Sequence, residues 1–410
     1  MCENPYEYEN PVDLSKNNFV GVSRKEVLTL IIQGVRRGEY WAILGPRQIG
    51  KTTFLHQIKN NFPNTHILYF DFKTSPSNEE ALYQRIIDRF LEKIPSMQPK
   101  IVEERERSYD PVLRFFNFLK KFKPREDKKI LLLFDEIALS LIRSFLRTWR
   151  MVYQVGFKKN QKNLKRYVVI ITGSVDLKEI DIGPNSAFNI SQTLALKDFS
   201  HEESKCLIDV PFKKYNIRID PKAKKKLLSQ ISGHPQLLQH ACHILFETAK
   251  ASKTNNPLTL RHVDDAIAQL LLGNSSLKML RRDINNDEGL RALVKTILNG
   301  TPPLFLPNSQ YATLGAGAIK EVDSYCEIRN EIYKKFLHKI LDKREKSSFL
   351  KHFKMALNVS VALIALGGGI LAITSKLPLF SKIVVIVLVI CIFILVFFKS
   401  QKEEKEKKDQ

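Results

Sequence analysis

The run Gly45-Pro46-Arg47-Gln48-Ile49-Gly50-Lys51-Thr52 constrains this chain more than any other feature. Residues 39–45 (EYWAILG) before it read as a short buried strand, and TFLHQIKNNF after it has helical spacing. Two glycines with four residues between them, closing on Lys-Thr between a strand and a helix, let backbone N–H groups wrap an anion. The helix N-terminus adds a favourable dipole. Gly45 through Thr53, with Pro46, Arg47, Gln48, Ile49 and Gly50 between, are therefore the expected phosphate cradle. Lys51 is expected to reach the outer phosphates, and the Thr52 hydroxyl to ligate Mg²⁺.

The matching carboxylates follow Lys129–Phe134 (KILLLF), a fully apolar strand that ends in Asp135-Glu136. Ligands of open α/β sheets bind at the carboxyl ends of the strands. Asp135 is expected to hold Mg²⁺ and Glu136 to act as general base toward an attacking water. Further strands are expected at His66–Phe72, Arg166–Thr172 and Asn189–Leu196, with helices between them. This is the pattern of a parallel five-stranded sheet. Past the fourth strand, Thr172 or Ser174 is placed to sense the terminal phosphate; Ser174 is the choice carried forward. Ser200 and Glu203 have capping-box spacing.

Taken together, Asn18-Phe19-Val20-Gly21, GPRQIGKTT, LLLFDE, IITGS and Ser232-Gly233-His234-Pro235-Gln236-Leu237-Leu238 resemble an ATPase group over roughly residues 17–345. The group comprises the AAA-like P-loop NTPases related to the archaeal, origin-recognition and STAND signalling proteins. The resemblance implies ATP and Mg²⁺ as cofactors, with ATP hydrolysis as the activity. It makes Phe19, Val20, His234 and Pro235 candidates for the base pocket; Pro235 also suits the first position of a helix. One departure stands out. No lid arginine or arginine finger is evident: Arg47 lies inside the loop and Arg261 opens a later helix. That favours a slow switch over a fast ring motor.

Residues 200–272 read as a helical lid. His234, His240, Cys242 and His243 within it are expected to pack rather than to bind metal. Residues 273–345 are expected to form a winged-helix-like domain, either binding DNA or packing on the ATPase. DEGLRALVKTIL is its first helix, NSQYATLGAGAI a second, KEVDSYCEIRN a hairpin and EIYKKFLHKIL the closing helix.

The net charge is +22, from 65 basic and 43 acidic residues, which calls for an anionic partner. The basic excess concentrates in Arg143–Arg166, where no acid interrupts and Trp149, Tyr153 and Phe157 recur at four-residue spacing. Three readings stay open: a core stripe with a solvated cationic face, a DNA or RNA backbone site, or an anionic-lipid site.

Met355–Ser375 carries no charge over 21 residues, about 32 Å of helix at ~1.5 Å per residue. Ile383–Phe398 is equally apolar and lengthens from Leu377, with Lys382 at the interface. Lysines crowd both outer flanks, so a two-helix transmembrane hairpin with both termini cytoplasmic is expected. The N-terminus lacks a signal-peptide core. Five scattered cysteines, without a CxxC pair, exclude a disulfide scaffold and a cysteine zinc site.

The expected fold class is thus α/β. Its parts are an N-terminal tail (1–16), an ATPase core (17–199), the lid (200–272) and the winged-helix-like domain (273–345). A basic linker (346–354), the hairpin (355–398) and a charged tail (399–410) complete it. The function this implies is a membrane-anchored, ATP-dependent conformational switch in signalling, with self-association as one expected partner mode. The alternatives are a membrane-tethered nucleic-acid-binding ATPase and a defence-type NTPase whose hairpin perturbs the bilayer.

Overall fold

The computed structural model describes residues 3–12, 24–72, 76–95, 110–137, 139–157, 161–173, 190–252, 256–301, 317–322 and 325–341. The chain divides into a unit over Met1–His338 and a second over Lys339–Gln410. All contacts given below lie within the first.

Its centre is a parallel sheet of β1 (Tyr40–Leu44), β2 (His66–Asp71), β3 (Ile130–Asp135), β4 (Tyr167–Gly173) and β5 (Ser191–Ala195). The spatial order is β2-β3-β4-β1-β5. Every residue of β1, β3 and β4 is buried, as a strand covered on both faces requires. The β2–β3–β4 register aligns Asp71 with Asp135 and Asp135 with Thr172. Three polar residues therefore stand side by side where the strands end.

Alternate strand residues feed two cores. On one face Trp41, Ile43, Leu131, Leu133, Val168 and Ile170 pack against α1 (Lys25–Arg37) and α2 (Lys51–Asn60). On the other, Leu132, Phe134 and Phe70 meet α3 (Glu79–Lys93), α4 (Pro111–Lys121) and α5 (Leu139–Gly156). Phe134 stacks on Phe70 at 4.9 Å and meets Phe145 edge-on at 4.8 Å.

The aromatic stripe of the basic segment divides between interior and surface. Trp149 is buried against Phe115 and Phe134, and Tyr153 packs on Tyr40. Phe157 is 60% exposed beneath the Lys165 ammonium. Arg143 and Arg147 lie on the exposed side of α5. Core packing thus accounts for two of the three aromatics. Lys158 and Lys159 lie outside the described residues.

The segment expected as a lid holds, among the described residues, four helices: α6 (His201–Lys214), α7 (Pro221–Ile231), α8 (Pro235–Ala251) and α9 (Leu260–Gly273). The Ser200–Glu203 capping box opens α6 with both reciprocal bonds made. After α9 come α10 (Ser275–Asn286), unforeseen as a separate element, and α11 (Glu288–Leu298). An antiparallel pair, β6 (Ile319–Val322) and β7 (Tyr325–Ile328), precedes a helix over 331–341. The expected hairpin and closing helix are therefore present. The helix expected at 308–319 falls mostly outside the described residues, as does the apolar segment 355–398. Among the described residues no helix is long and apolar enough to cross a membrane.

Residues 3–12 are no free tail. Tyr6 is buried, its hydroxyl donates to the Leu207 carbonyl, and its ring meets Phe212 and Phe246 edge-on. Asn4 Nδ2 donates to the His243 carbonyl and to Glu247. The segment is a strap laid across α6 and α8.

Candidate nucleotide site

Strand β1 delivers the chain to Gly45, whose amide continues the ladder by donating to the Gly173 carbonyl. The loop then turns back through Gln48 at φ 61° and Gly50 at φ 92°. Gly50 caps α2 in the left-handed region, where a side chain is disfavoured. Ile49 between them is fully buried and anchors the loop in the core.

Lys51 is buried, and its Nζ donates to the carbonyls of Gly45 (3.0 Å) and Pro46 (3.1 Å). Burial pulls its pKa below the usual lysine value, while the Glu136 and Asp135 carboxylates pull the other way. A phosphate group beside it would favour the charged form strongly.

Asp135 is 1% exposed and accepts hydroxyls from three elements. Thr52 Oγ1 donates to Oδ2 at 2.7 Å, Tyr69 Oη to Oδ2 at 3.0 Å and Thr172 Oγ1 to Oδ1 at 2.5 Å. Thr52 donates its hydroxyl hydrogen bond to Asp135 and keeps its lone pairs for another partner. An oxygen-only donor set of hydroxyl and carboxylate suits Mg²⁺, which prefers hard ligands and retains waters. The residues present therefore fit a magnesium–nucleotide complex. Glu136 follows at φ 57°, exposed. That conformation is uncommon for a non-glycine residue, and it presents the side chain at the end of the strand.

Gln48 through Phe54, Gln57 and Glu136 line one cavity of about 270 Å³. Its other wall is Glu7 through Val12 of the strap, with Pro235, Gln236 and Gln239 of α8, Phe199 and Arg24. Arg24 donates to the carbonyls of Ile49 (2.9 Å) and Lys197 (3.1 Å) and lies over the Phe199 ring. The Val12 amide donates to Thr53 Oγ1 at 3.2 Å, tying strap to phosphate loop. Tyr8 stacks on His240 at 3.9 Å, and its carbonyl accepts from Gln236. Asn274 Nδ2 contacts both Gln236 Oε1 and His240 Nδ1, and Gln48 meets the neighbouring Ser276 hydroxyl. Loop, lid and strap are thus one hydrogen-bonded ring around the cavity.

Of the expected site residues, Gln48, Ile49, Gly50, Lys51, Thr52, Thr53, Glu136 and Pro235 share this cavity. Asp135 lies behind Thr52. Gly45 and Pro46 hold Lys51 by their carbonyls, and Arg47 is exposed. His234 is placed elsewhere: it is fully buried, and its Nδ1 accepts the Leu237 amide as the cap of α8. Its Nε2 faces the Tyr333 hydroxyl at 3.3 Å. Burial holds its pKa well below the ordinary histidine value. Phe19, Val20 and Ser174 lie outside the described residues, whereas Thr172, the other residue weighed with Ser174, touches Asp135. Among the described residues no group of three or more His, Cys, Asp or Glu could hold a metal ion. His240 stacks on Tyr8, and Cys242 is fully buried. Sequence reasoning missed Arg24, Tyr69 and the whole strap; only the aromatic spacing of Tyr6 and Tyr8 hints at burial.

The AAA-like domain family matches residues 9–339. No curated protein matches the chain in sequence. Among solved structures, the Walker-type ATPase PABY2304 of Pyrococcus abyssi shares 16% identity at TM-score 0.55. That match covers 80% of this chain and 99% of the other. The Aeropyrum pernix ORC2 protein, solved as ADPNP–ADP complexes, shares 12% identity over 84% of this chain and 98% of its own, at TM-score 0.47. The Thermotoga maritima RuvB Holliday junction branch migration motor shares 15% over 80% and 98%, at TM-score 0.43.

Proposed function

The chain belongs to the AAA-like domain family, and from that premise we propose that it is an ATP-hydrolysing conformational switch, membrane-anchored through residues 355–398 and acting in signalling. The observation that carries the nucleotide part is the Thr52–Asp135 hydrogen bond beside buried Lys51. It joins the two motifs across the end of the sheet. Lys51 neutralises phosphate charge, Asp135 orients the Thr52 hydroxyl, and Glu136 takes a proton from the attacking water. A magnesium ion bound there would supply Lewis-acid neutralisation of the phosphate oxygens. The switch part is supported by the ring of contacts from Gln48 to Ser276 and from Thr53 to Val12. A ligand seated in the loop has direct routes to the lid and strap.

The test uses the full chain in detergent. Lys51→Ala is expected to weaken binding of a fluorescent ATP analogue by roughly 30- to 150-fold, and unchanged affinity would refute the site. Glu136→Gln is expected to bind but not turn over; normal turnover removes Glu136 as the base. Membrane anchoring is tested by flotation with liposomes, which should be lost on deleting residues 355–398.

A second reading keeps this ATPase and adds nucleic acid. The exposed position of Arg143 and Arg147 on α5 favours it. It predicts salt-sensitive DNA or RNA binding weakened by Arg143→Ala with Arg147→Ala. The same variants bear on acidic lipid, which flotation with phosphatidylserine vesicles separates from nucleic acid.

A further inference from the structure

Asp135 is held by more than the loop threonine. In β2, Tyr69 stands in register with Leu133, two residues before Asp135 on the same face of the neighbouring strand. Side chains alternate across a strand, so Tyr69, Leu133 and Asp135 share one face of the sheet. The Tyr69 ring leans against His56 of α2 at 5.3 Å. Its hydroxyl donates to Asp135 Oδ2, the oxygen that also accepts from Thr52. Asp135 is therefore gripped on both oxygens, from β2, α2 and β4.

A carboxylate on a single Cα–Cβ stem can rotate, and which lone pairs it presents decides how it meets a hydrated cation. Three donors from three elements remove that freedom. The Thr52 hydroxyl is itself an expected metal ligand, so its bond to Asp135 is shared with other work. Tyr69 is not among the expected metal ligands. Its phenolic O–H is the donor in this bond, and Asp135 Oδ2 the acceptor.

From this arrangement we infer that Tyr69 is a positioning residue that fixes the Asp135 carboxylate for the magnesium–nucleotide complex. The inference rests on the ATPase reading above. It sets Tyr69 apart from residues that touch the nucleotide, because Tyr69 acts only through Asp135. Partners in this outer position typically change metal affinity by about 10- to 100-fold when removed.

The experiment compares the full-length wild type with Tyr69→Phe, which keeps the ring against His56 and loses only the hydroxyl. Binding of the fluorescent analogue mant-ATP is titrated with Mg²⁺ and measured separately in EDTA. The expected result is a Mg²⁺ half-saturation raised about 10-fold or more, with affinity in EDTA unchanged and the melting temperature close to wild type. Tyr69→Phe added to Asp135→Asn should cause much less further shift than it does alone, because the two residues act as a unit. A Mg²⁺ dependence identical to wild type would overturn the inference. So would equal weakening with and without Mg²⁺, or a full, additive shift in the Asp135→Asn background. Failure of the wild type to bind mant-ATP under any condition overturns the ATPase reading, and the role of Tyr69 with it.

Discussion

The two walls of the cavity are built in opposite ways. The phosphate wall comes from one short stretch, Gly45–Phe54, and from a carboxylate pair at the end of β3, which β4 separates from β1. Its parts are fixed by local geometry: a left-handed Gln48, a left-handed Gly50 and a lysine bonded to its own loop. The facing wall comes from residues that meet across the whole length of the unit. Tyr6 finds Leu207, Asn4 finds His243 and Glu247, and Gln236 finds Tyr8. The first wall carries the chemistry, whereas the second carries much of the packing. Changes in the first should alter ligand affinity with small effects on stability. Changes in the second should do the reverse.

The largest expected effect tests the far wall's support. Arg329 is 4% exposed and makes a two-point ion pair with Asp198, just past β5. Removing one member of a buried pair costs about 3–5 kcal/mol, and the low end of about 3 kcal/mol applies here because the Asp198 side chain is 27% exposed. Arg329→Met should lower urea stability by that order, while nucleotide affinity measured under native conditions stays within a few-fold. A variant that stays stable but loses nucleotide would break the division between walls.

Tyr6→Ala removes a buried ring wedged between Phe212 and Phe246, and about 3 kcal/mol is expected from aromatic truncation in a core. Its partner test is Lys51→Ala, which should remove about 2–3 kcal/mol of nucleotide binding. The melting temperature without ligand should change little. If both variants moved both quantities equally, the contrast would fail.

Gly233, in the turn between α7 and α8, sharpens the picture where that turn meets Phe199. It sits at φ 77°, and a Cβ there would lie 2.2 Å from the Phe199 carbonyl oxygen. Gly233→Ala should destabilise by about 1–3 kcal/mol, read by denaturant titration. A smaller step is Thr53→Val, which loses the Val12 amide bond and about 1 kcal/mol. It should raise hydrogen exchange in the strap before anywhere else.

At neutral pH the smallest effect belongs to His240, which shows only as a pH slope on the acid side. Burial, then His243, pulls the His240 pKa down to about 4. The unfolded chain binds the proton more readily, so stability falls as pH drops below about 6.5 toward 4. His234 shifts in the same direction. His240→Gln should therefore flatten the acid side of a melting-temperature profile without removing its slope.

Legibility followed the same division. Strands β1, β3 and β4 stood out because double burial demands unbroken apolar runs. The phosphate loop stood out because its requirement is a fixed spacing. The Ser200–Glu203 cap was readable for the same reason. The strap was not: Glu-Tyr-Glu-Asn-Pro has the composition of a polar tail, and its partners lie 200 residues away. His234 was grouped with the base pocket on resemblance, yet its ring caps α8 and meets Tyr333, a contact no local pattern carries. Tyr69 belongs to the same class, since only the pairing of β2 with β3 brings its hydroxyl to Asp135.

The strap has a consequence for biosynthesis. Tyr6 and Asn4 are translated 201 and 239 residues before the carbonyls they bind. At about 5–20 residues per second, those side chains wait roughly 10 to 50 s on the ribosome for their seats to emerge. Through that interval the phosphate loop can already have formed while the opposite wall does not yet exist. A nascent chain stalled before residue 200 would carry a cradle with nothing to close it.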